Sequence, residues 1–245
     1  MADKGALQAV SIVLVSPRYP ENVGSVARAM KNMGLERLVI VDGCSPLHAH
    51  AYKLASGAED LLERAEEFPT LKEAVAEMGF VVGMTSRGGK ERCPLLSPKT
   101  AVKKLIPLAS RNRVAMVFGS EKEGLTNPEL SLCNMYVRIP SSDDFPSLNL
   151  AHAVAVICYE LFLGTNGDEK EGEPLAAVEQ MEAMYDHMER TLVDIDFLEA
   201  NRSKRIMWVL RKLLGRSQMN EREVQILQGI WSQVDRQIRK KQGPC

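Results

Sequence analysis

The stretch V-A-M-V-F-G-S-E-K-E-G-L-T-N-P, residues 114–128, decides the fold. Its first five residues are apolar without polar alternation, the pattern of a strand covered on both faces. The strand runs directly into Gly119, then a charged turn, then Gly124, with a helix cap at Thr126 or Asn127. In open parallel sheets, ligands bind where strands end and loops begin. Such a turn can line a small-molecule pocket with backbone groups, leaving Glu121 or Glu123 to hold a hydroxyl or a cation. A plain polar turn describes the segment equally well.

Four further apolar runs have the same character: Val10–Val15, Arg37–Val41, Phe80–Met84 and residues 135–139. Helical patterns lie between them. Val23, Val26, Met30 and Met33 keep a 3-4-3 spacing, and Gly34 follows as a stop. Residues 71–78, 97–108 and, more briefly, 129–132 are helix candidates, and 147–162 reads as a long apolar helix. Alternation of this kind predicts an α/β fold, a parallel sheet with helices on both sides.

Two more strand ends carry informative loops. N-V-G-S-V-A-R, residues 22–28, opens the first long helix. Asn22 is placed to cap it, Gly24 admits another backbone or a ribose, and Arg28 sits one turn on, away from the apolar stripe. On spacing alone an amphipathic helix with a solvated Arg28 is the better reading. I-P-S-S-D-D-F-P-S-L-N-L-A, residues 139–151, ends a strand and starts a helix at Ser147, whose structural role would be the N-cap. The segment V-V-G-M-T-S-R-G-G-K, residues 81–90, fails the phosphate-loop pattern, because Gly-Lys is not followed by Ser or Thr. G-x-G-x-x-G, G-x-S-x-G and H-E-x-x-H are all absent, which argues against dinucleotide, serine-hydrolase and zinc-protease chemistry.

The 245 residues have 45% hydrophobic and 26% charged side chains, the balance of a soluble globular protein. No run is long enough to cross a bilayer and the first residues lack a signal-peptide core, so a cytoplasmic location is expected. Cys44, Cys93, Cys133, Cys158 and Cys245 are odd in number and never in C-x-x-C spacing, which excludes a disulfide frame or a zinc site as the expectation. His48 and His50 read as surface residues. The net charge of −1 argues against a uniformly basic nucleic-acid binder but leaves room for a local patch.

Such a patch exists. Residues 164–174, G-T-N-G-D-E-K-E-G-E-P, are polar and aperiodic, and place an acidic linker at 166–174 between a domain at 1–165 and an all-helical extension at 175–245. In the extension, Val178, Met181, Tyr185, Met188, Leu192 and Ile195 keep helical rhythm, as do Val224, Leu227, Trp231, Val234 and Ile238. A middle stripe of Ile206, Val209, Leu210 and Leu213 reads as core. Arg202, Lys204, Arg205, Arg211, Lys212 and Arg216 lie there with no acid among them. They are either a solvated face or a contact for nucleic-acid phosphates.

In this order, the three loops resemble the SPOUT methyltransferases of the TrmH-like branch. Asn22, Gly24 and Arg28 match the first motif, Gly119, Glu121 and Gly124 the second, and Ile139, Pro140, Ser147, Leu148, Asn149 and Ala151 the third. The resemblance covers nearly the whole chain, and the helical tail after an acidic linker is similar to the members that methylate the ribose 2′-hydroxyl of cytidine or uridine at the 5′-most nucleotide of the tRNA anticodon loop. It implies S-adenosylmethionine as cofactor, tRNA as substrate, a homodimer, a catalytic domain ending in a trefoil knot, and no metal. It also implies Arg28 and Ser147 as a catalytic pair positioned by Asn22 and Asn149. Thr85, Ser86, Arg87, Gly119, Ile139, Pro146, Ser147 and Leu148 are implied as cofactor contacts. Pro146 stands where members carry Ser, and the Arg87-Gly88-Gly89 turn is not a close match. An rRNA methyltransferase of the same fold and a non-catalytic RNA-binding relative are the alternatives.

Overall fold

In a computed structural model of the chain, residues 4–86, 94–165, 174–199 and 203–241 are described. Contacts divide the chain into two units, Met1–Glu173 and Pro174–Cys245. The first holds a seven-stranded sheet: β1 (Val10–Val15), β2 (Arg37–Val41), β3 (Glu66–Phe68), β4 (Phe80–Met84), β5 (Leu95–Leu96), β6 (Val114–Phe118) and β7 (Met135–Val137). Every pairing is parallel, in the order β3-β2-β1-β6-β4-β7-β5. The central strands β1, β4 and β6 are buried along their whole length, as unalternated apolar runs require.

The register brings three strand ends level. Gly83 pairs with Val117 across β4 and β6, and Met84 pairs with Val137 across β4 and β7. The loops after β6, β4 and β7 therefore leave the sheet side by side. The run expected over 135–139 pairs only over 135–137, because Arg138 turns its N–H to the Leu96 carbonyl at the sheet edge. The short edge strands β3 and β5 were not expected from the sequence.

The helices are α1 (Lys4–Gln8), α2 (Pro20–Asn32), α3 (Ala49–Ala55), α4 (Glu59–Glu63), α5 (Leu71–Ala74), α6 (Pro98–Ala109), α7 (Asn127–Ser131) and α8 (Leu150–Gly164). Helix α2 packs against both α3 and α8, and α6 packs on α8. Of the two neighbours that Gly24 was expected to admit, the fold supplies a backbone. A Cβ at Gly24 would stand 2.0 Å from the Ala51 carbonyl oxygen of α3.

Two helix starts differ from expectation. Helix α2 begins at Pro20, where a missing N–H costs nothing, so Asn22 lies inside the first turn and does not cap it. Helix α8 begins at Leu150, not Ser147. Asn149 is its cap, accepting from the N–H groups of Ala151 and His152 at 2.9 and 3.4 Å. Thr126 caps α7, and Glu129 closes back onto its N–H at 2.6 Å. His48 and His50 lie at the surface as read: His48 caps α3, and His50 meets Glu21 at 2.7 Å. Cys44, Cys133 and Cys158 are free thiols, and burial pushes Cys158 up to about 12.

The second unit contains α9 (Val178–Asp194), α10 (Ser203–Gly215) and α11 (Glu221–Lys241), with α10 and α11 both packed on α9. Its core gathers Met181, Met184, Tyr185, Met188, Met207 and Val224. The core face of α10 is set by Ser203, Met207, Leu210 and Leu214, so the expected stripe is only partly right: Ile206, Val209 and Leu213 are exposed. Ile195 is exposed as well. Asp235 ties α11 to α9 by accepting from the Thr191 hydroxyl at 2.7 Å and meeting His187 at 2.9 Å. These two bonds hold its carboxyl below the usual carboxylate range. Its stabilising effect is therefore complete above the ordinary carboxylate pKa and fades as pH falls through the lowered value.

Gly24→Ala should destabilise the first unit by about 2 kcal/mol or more, because backbone, not a flexible side chain, occupies the space. A urea midpoint unchanged from the natural protein would refute the close approach of α2 and α3.

Candidate active site

The three level strand ends enclose one cavity of about 310 Å³. Met84 ends β4 and is followed by Thr85 and Ser86, while Phe118 ends β6 and is followed by the turn of residues 119–125. Val137, Ile139, Pro146, Ser147 and Leu148 come from the segment after β7, with Leu150 and Ala153 from the start of α8. Apolar residues such as Met84, Ile139 and Leu148 share the wall with polar ones, Thr85, Ser86, Glu121, Glu123 and Ser147 among them.

The turn after β6 owes its shape to Gly119. A Cβ there would lie 2.1 Å from the carbonyl carbon of Gly124 and 2.2 Å from the Leu125 nitrogen. Without it, the turn closes on itself: the Gly124 N–H donates to the Ser120 carbonyl at 2.9 Å and the Glu123 N–H to the Ser120 hydroxyl at 3.3 Å. The loop after β4 is pinned by the Thr85 N–H, which donates to the Val137 carbonyl at 3.0 Å.

One polar chain joins the turn after β6 to the starts of α2 and α8. Glu121, on the cavity wall, accepts the Arg18 N–H at 3.0 Å on one oxygen and the Asn22 side-chain amide at 2.7 Å on the other. Asn22 in turn accepts from the side-chain amide of Asn149 at 3.0 Å. The oxygen of Asn149 caps α8. Freed from capping, Ser147 stands exposed on the cavity rim.

Of the cofactor contacts expected from the sequence, Thr85, Ser86, Gly119, Ile139, Pro146, Ser147 and Leu148 line this one cavity. Arg87 lies outside the described residues. Asn22 reaches the wall through Glu121, a residue whose part in holding the site the spacing alone left undecided against Glu123. Arg28 is exposed on α2 and is not among the lining residues.

Of the tail cations, Lys204, Arg205 and Arg216 are exposed, Lys212 is half-buried, and Arg202 lies outside the described residues. Arg211 does not stand free for a phosphate. Its guanidinium pairs with Glu182, approaches Asp186 at 4.0 Å and lies 4.5 Å over the Tyr185 ring. Among the described residues, no group of three or more His, Cys, Asp and Glu is arranged to hold a metal ion, and no helix is long and apolar enough to cross a membrane.

Residues 9–159 match the model of the SpoU rRNA Methylase family, and residues 179–243 match that of the tRNA methyltransferase TrmJ C-terminal domain. The chain belongs to the TrmJ branch of the SpoU methylases. The TrmJ of Pseudomonas aeruginosa, a tRNA (cytidine/uridine/adenosine-2′-O-)-methyltransferase by name, is 40% identical over 95% of this chain and 96% of its own length. The TrmJ of Salmonella typhimurium, named for cytidine and uridine, is 39% identical over 96% of this chain and all of its own. The crystal structure of TrmJ from Z. mobilis ZM4 superposes with a TM-score of 0.79 at 34% identity, covering 92% of this chain and 98% of that one. The parallel sheet and helical extension are thus those of a SPOUT methyltransferase with the TrmJ tail.

Glu121→Ala should remove the acceptor of the exposed Arg18 N–H and of the part-buried Asn22 amide, at a cost of about 1 kcal/mol since water can reach the Arg18 N–H. Amide hydrogen exchange at Arg18 should quicken and the first unit should melt several degrees lower. Unchanged exchange at Arg18 would mean that this carboxylate does not hold the loops together.

Proposed function

We propose that this chain transfers a methyl group from S-adenosylmethionine to a ribose 2′-hydroxyl of tRNA, on cytidine or uridine at the 5′-most nucleotide of the anticodon loop. The carrying observation is the single cavity built by three neighbouring strand-end loops and tied to Asn22 and Asn149 through Glu121. The substrate follows from membership of the TrmJ branch and the names of its relatives. An rRNA acceptor is disfavoured, since residues 179–243 match the TrmJ tail.

The cavity residues fit the cofactor. Met84, Val137, Ile139, Leu148 and Leu150 offer apolar surface to an adenine ring, and Glu121 and Glu123 on the same wall offset cationic charge. Pro146 brings no N–H, and its carbonyl already accepts from the Ser141 hydroxyl at 2.9 Å, so it acts through the shape of its ring. When bound, the cofactor supplies a methyl group made electrophilic by its sulfonium.

The protein's task is to place the hydroxyl and manage its proton. Ser147 Oγ, unused for capping, accepts the hydrogen bond of the ribose hydroxyl and relays the proton lost on methylation to solvent water at the open rim. Asn22 and Asn149 fix the loop on which Ser147 sits. A guanidinium is a poor base at neutral pH, so Arg28 holds a phosphate and stabilises the developing alkoxide. Arg28 does not line its own chain's cavity, so this role needs a second copy of the chain in a homodimer. Tyr159, Phe162 and Leu163, exposed on one face of α8, supply apolar surface for that pairing. Within this reading, residues 1–165 form the catalytic domain with its trefoil knot, 166–174 the linker and 175–245 the extension, in a cytoplasmic enzyme that needs no metal. Lys204, Arg205 and Lys212 on α10 and Arg216 just beyond its end, together with Arg202, grip the tRNA backbone.

Nucleoside mass spectrometry after incubation with unmodified tRNA and labelled cofactor should show 2′-O-methylcytidine or 2′-O-methyluridine; no methylated ribose would refute the activity. Chains carrying Arg28→Ala and Ser147→Ala should each be inactive alone. Mixed and reassociated, they should regain about a quarter of natural activity, since half the pairs are mixed and each has one intact site. No recovery would place Arg28 and Ser147 in the same chain's site or outside it. Arg205→Glu with Arg216→Glu should raise the KM for tRNA and flatten the log–log salt slope by about two. An unchanged slope would leave the tail without a phosphate contact.

A further inference from the structure

The segment after β7 contains a side chain that its own fold does not use. Phe145 is 79% exposed, the most exposed large apolar residue among those described. Its backbone is nevertheless held. The Phe145 N–H donates to the Ser142 carbonyl at 3.2 Å, the Asp144 N–H to the Ser142 hydroxyl at 3.3 Å, and the Ser141 hydroxyl to the Pro146 carbonyl. The ring is thus presented by a braced turn. The next three residues, Pro146, Ser147 and Leu148, line the cavity.

We propose that Phe145 is the stacking platform for the base of the nucleotide being methylated, an inference that rests on the function proposed above. A ribose presented at Ser147 is one glycosidic bond from its base, so the base emerges at the rim where Phe145 stands. Asp143 and Asp144 precede the ring and are exposed. Their charge repels a phosphate, which leaves the flat face of a base as the partner. Single-stranded loops are recognised in this way, by splayed bases stacked on aromatic rings. Stacking also tolerates sequence, since every base has a π-face, and so suits an enzyme that accepts both cytidine and uridine.

The test is a double-mutant cycle on the full chain. Kd is measured for a tRNA transcript and for the same transcript abasic at the acceptor nucleotide, with the natural protein, Phe145→Ala and Phe145→Trp. Phe145→Ala should weaken binding of the intact transcript roughly 5- to 100-fold. It should change binding of the abasic transcript by less than twofold, and Phe145→Trp should restore the intact affinity. Affinity for S-adenosylmethionine should stay constant in all three proteins. Three results would overturn the proposal: an intact transcript bound within twofold by Phe145→Ala, equal losses with intact and abasic transcripts, or a changed oligomeric state on sedimentation, which would make the ring a subunit contact. If the natural protein methylates no tRNA, the proposed function fails first and the stacking role falls with it. If it methylates tRNA and the cycle shows no coupling, only the stacking role falls.

Discussion

Glu121 accepts one hydrogen bond from the backbone before α2 and another from a side chain within it, 103 and 99 residues away in sequence. Asn22 then spends its other end on Asn149, 127 residues on. Each asparagine uses its oxygen and its nitrogen on different neighbours, so neither amide can flip without losing all its bonds, two for Asn22 and three for Asn149. A carboxylate acceptor makes the first link charge-assisted, and such bonds are roughly twice as strong as neutral ones. This chain sets the mutual position of the β6 turn, the start of α2 and the start of α8. Close approach makes it feasible: Gly119 lets the turn fold onto Gly124, and Gly24 lets α2 lie against the backbone of α3. A cavity wall and two helix starts thus move together or not at all.

The central architecture was legible because burial on both faces leaves a sequence signature. β1, β2, β4 and β6 are dominated by Val, Ile, Leu, Met and Phe and match their expected bounds. β3 and β5 were not legible. They are two or three residues long, partly exposed at the sheet edges, and Glu66 and Glu67 carry no apolar pattern. In the tail, counting by threes and fours finds a stripe on α10 but not which stripe faces inward. Ile206, Val209 and Leu213 share a helix side with one another, yet the interior is chosen by Met207 and Leu214 and by Arg211, which is half-buried against Tyr185 and Glu182. No periodicity rule marks an arginine as an inward residue, because its partner lies on another helix.

At the site, residue types and order were readable while roles depended on where helices begin. Shifting the start of α8 from Ser147 to Leu150 moves the capping task to Asn149 and leaves Ser147 exposed on the cavity rim. Starting α2 at Pro20 moves Asn22 from cap to connector. Both shifts are of two or three residues, the scale on which sequence signals for helix ends are weakest. Phe145 carried no signal as a function-bearing residue, since a lone aromatic in a loop reads as loop until its exposure and its braced backbone are seen together.

The charge around the cavity constrains how an RNA can be held there. Glu121, Glu123, Asp143 and Asp144 crowd the loops that form or adjoin the rim, with Lys122 the one cation in the β6 turn. A polyanion gains little from that surface and is repelled by part of it. Under the proposed function, binding energy at the rim would come from contacts indifferent to charge, stacking above all, while phosphate attraction would come from Arg28 of a second copy and from the exposed Lys204, Arg205 and Arg216 of the tail. The two contributions respond differently to salt: counterion release weakens steeply with ionic strength, whereas stacking changes little. In that reading the cationic surfaces would collect tRNA without discrimination, and the choice of nucleotide would fall to an acidic rim that attracts no phosphate, where a splayed base and its ribose fit.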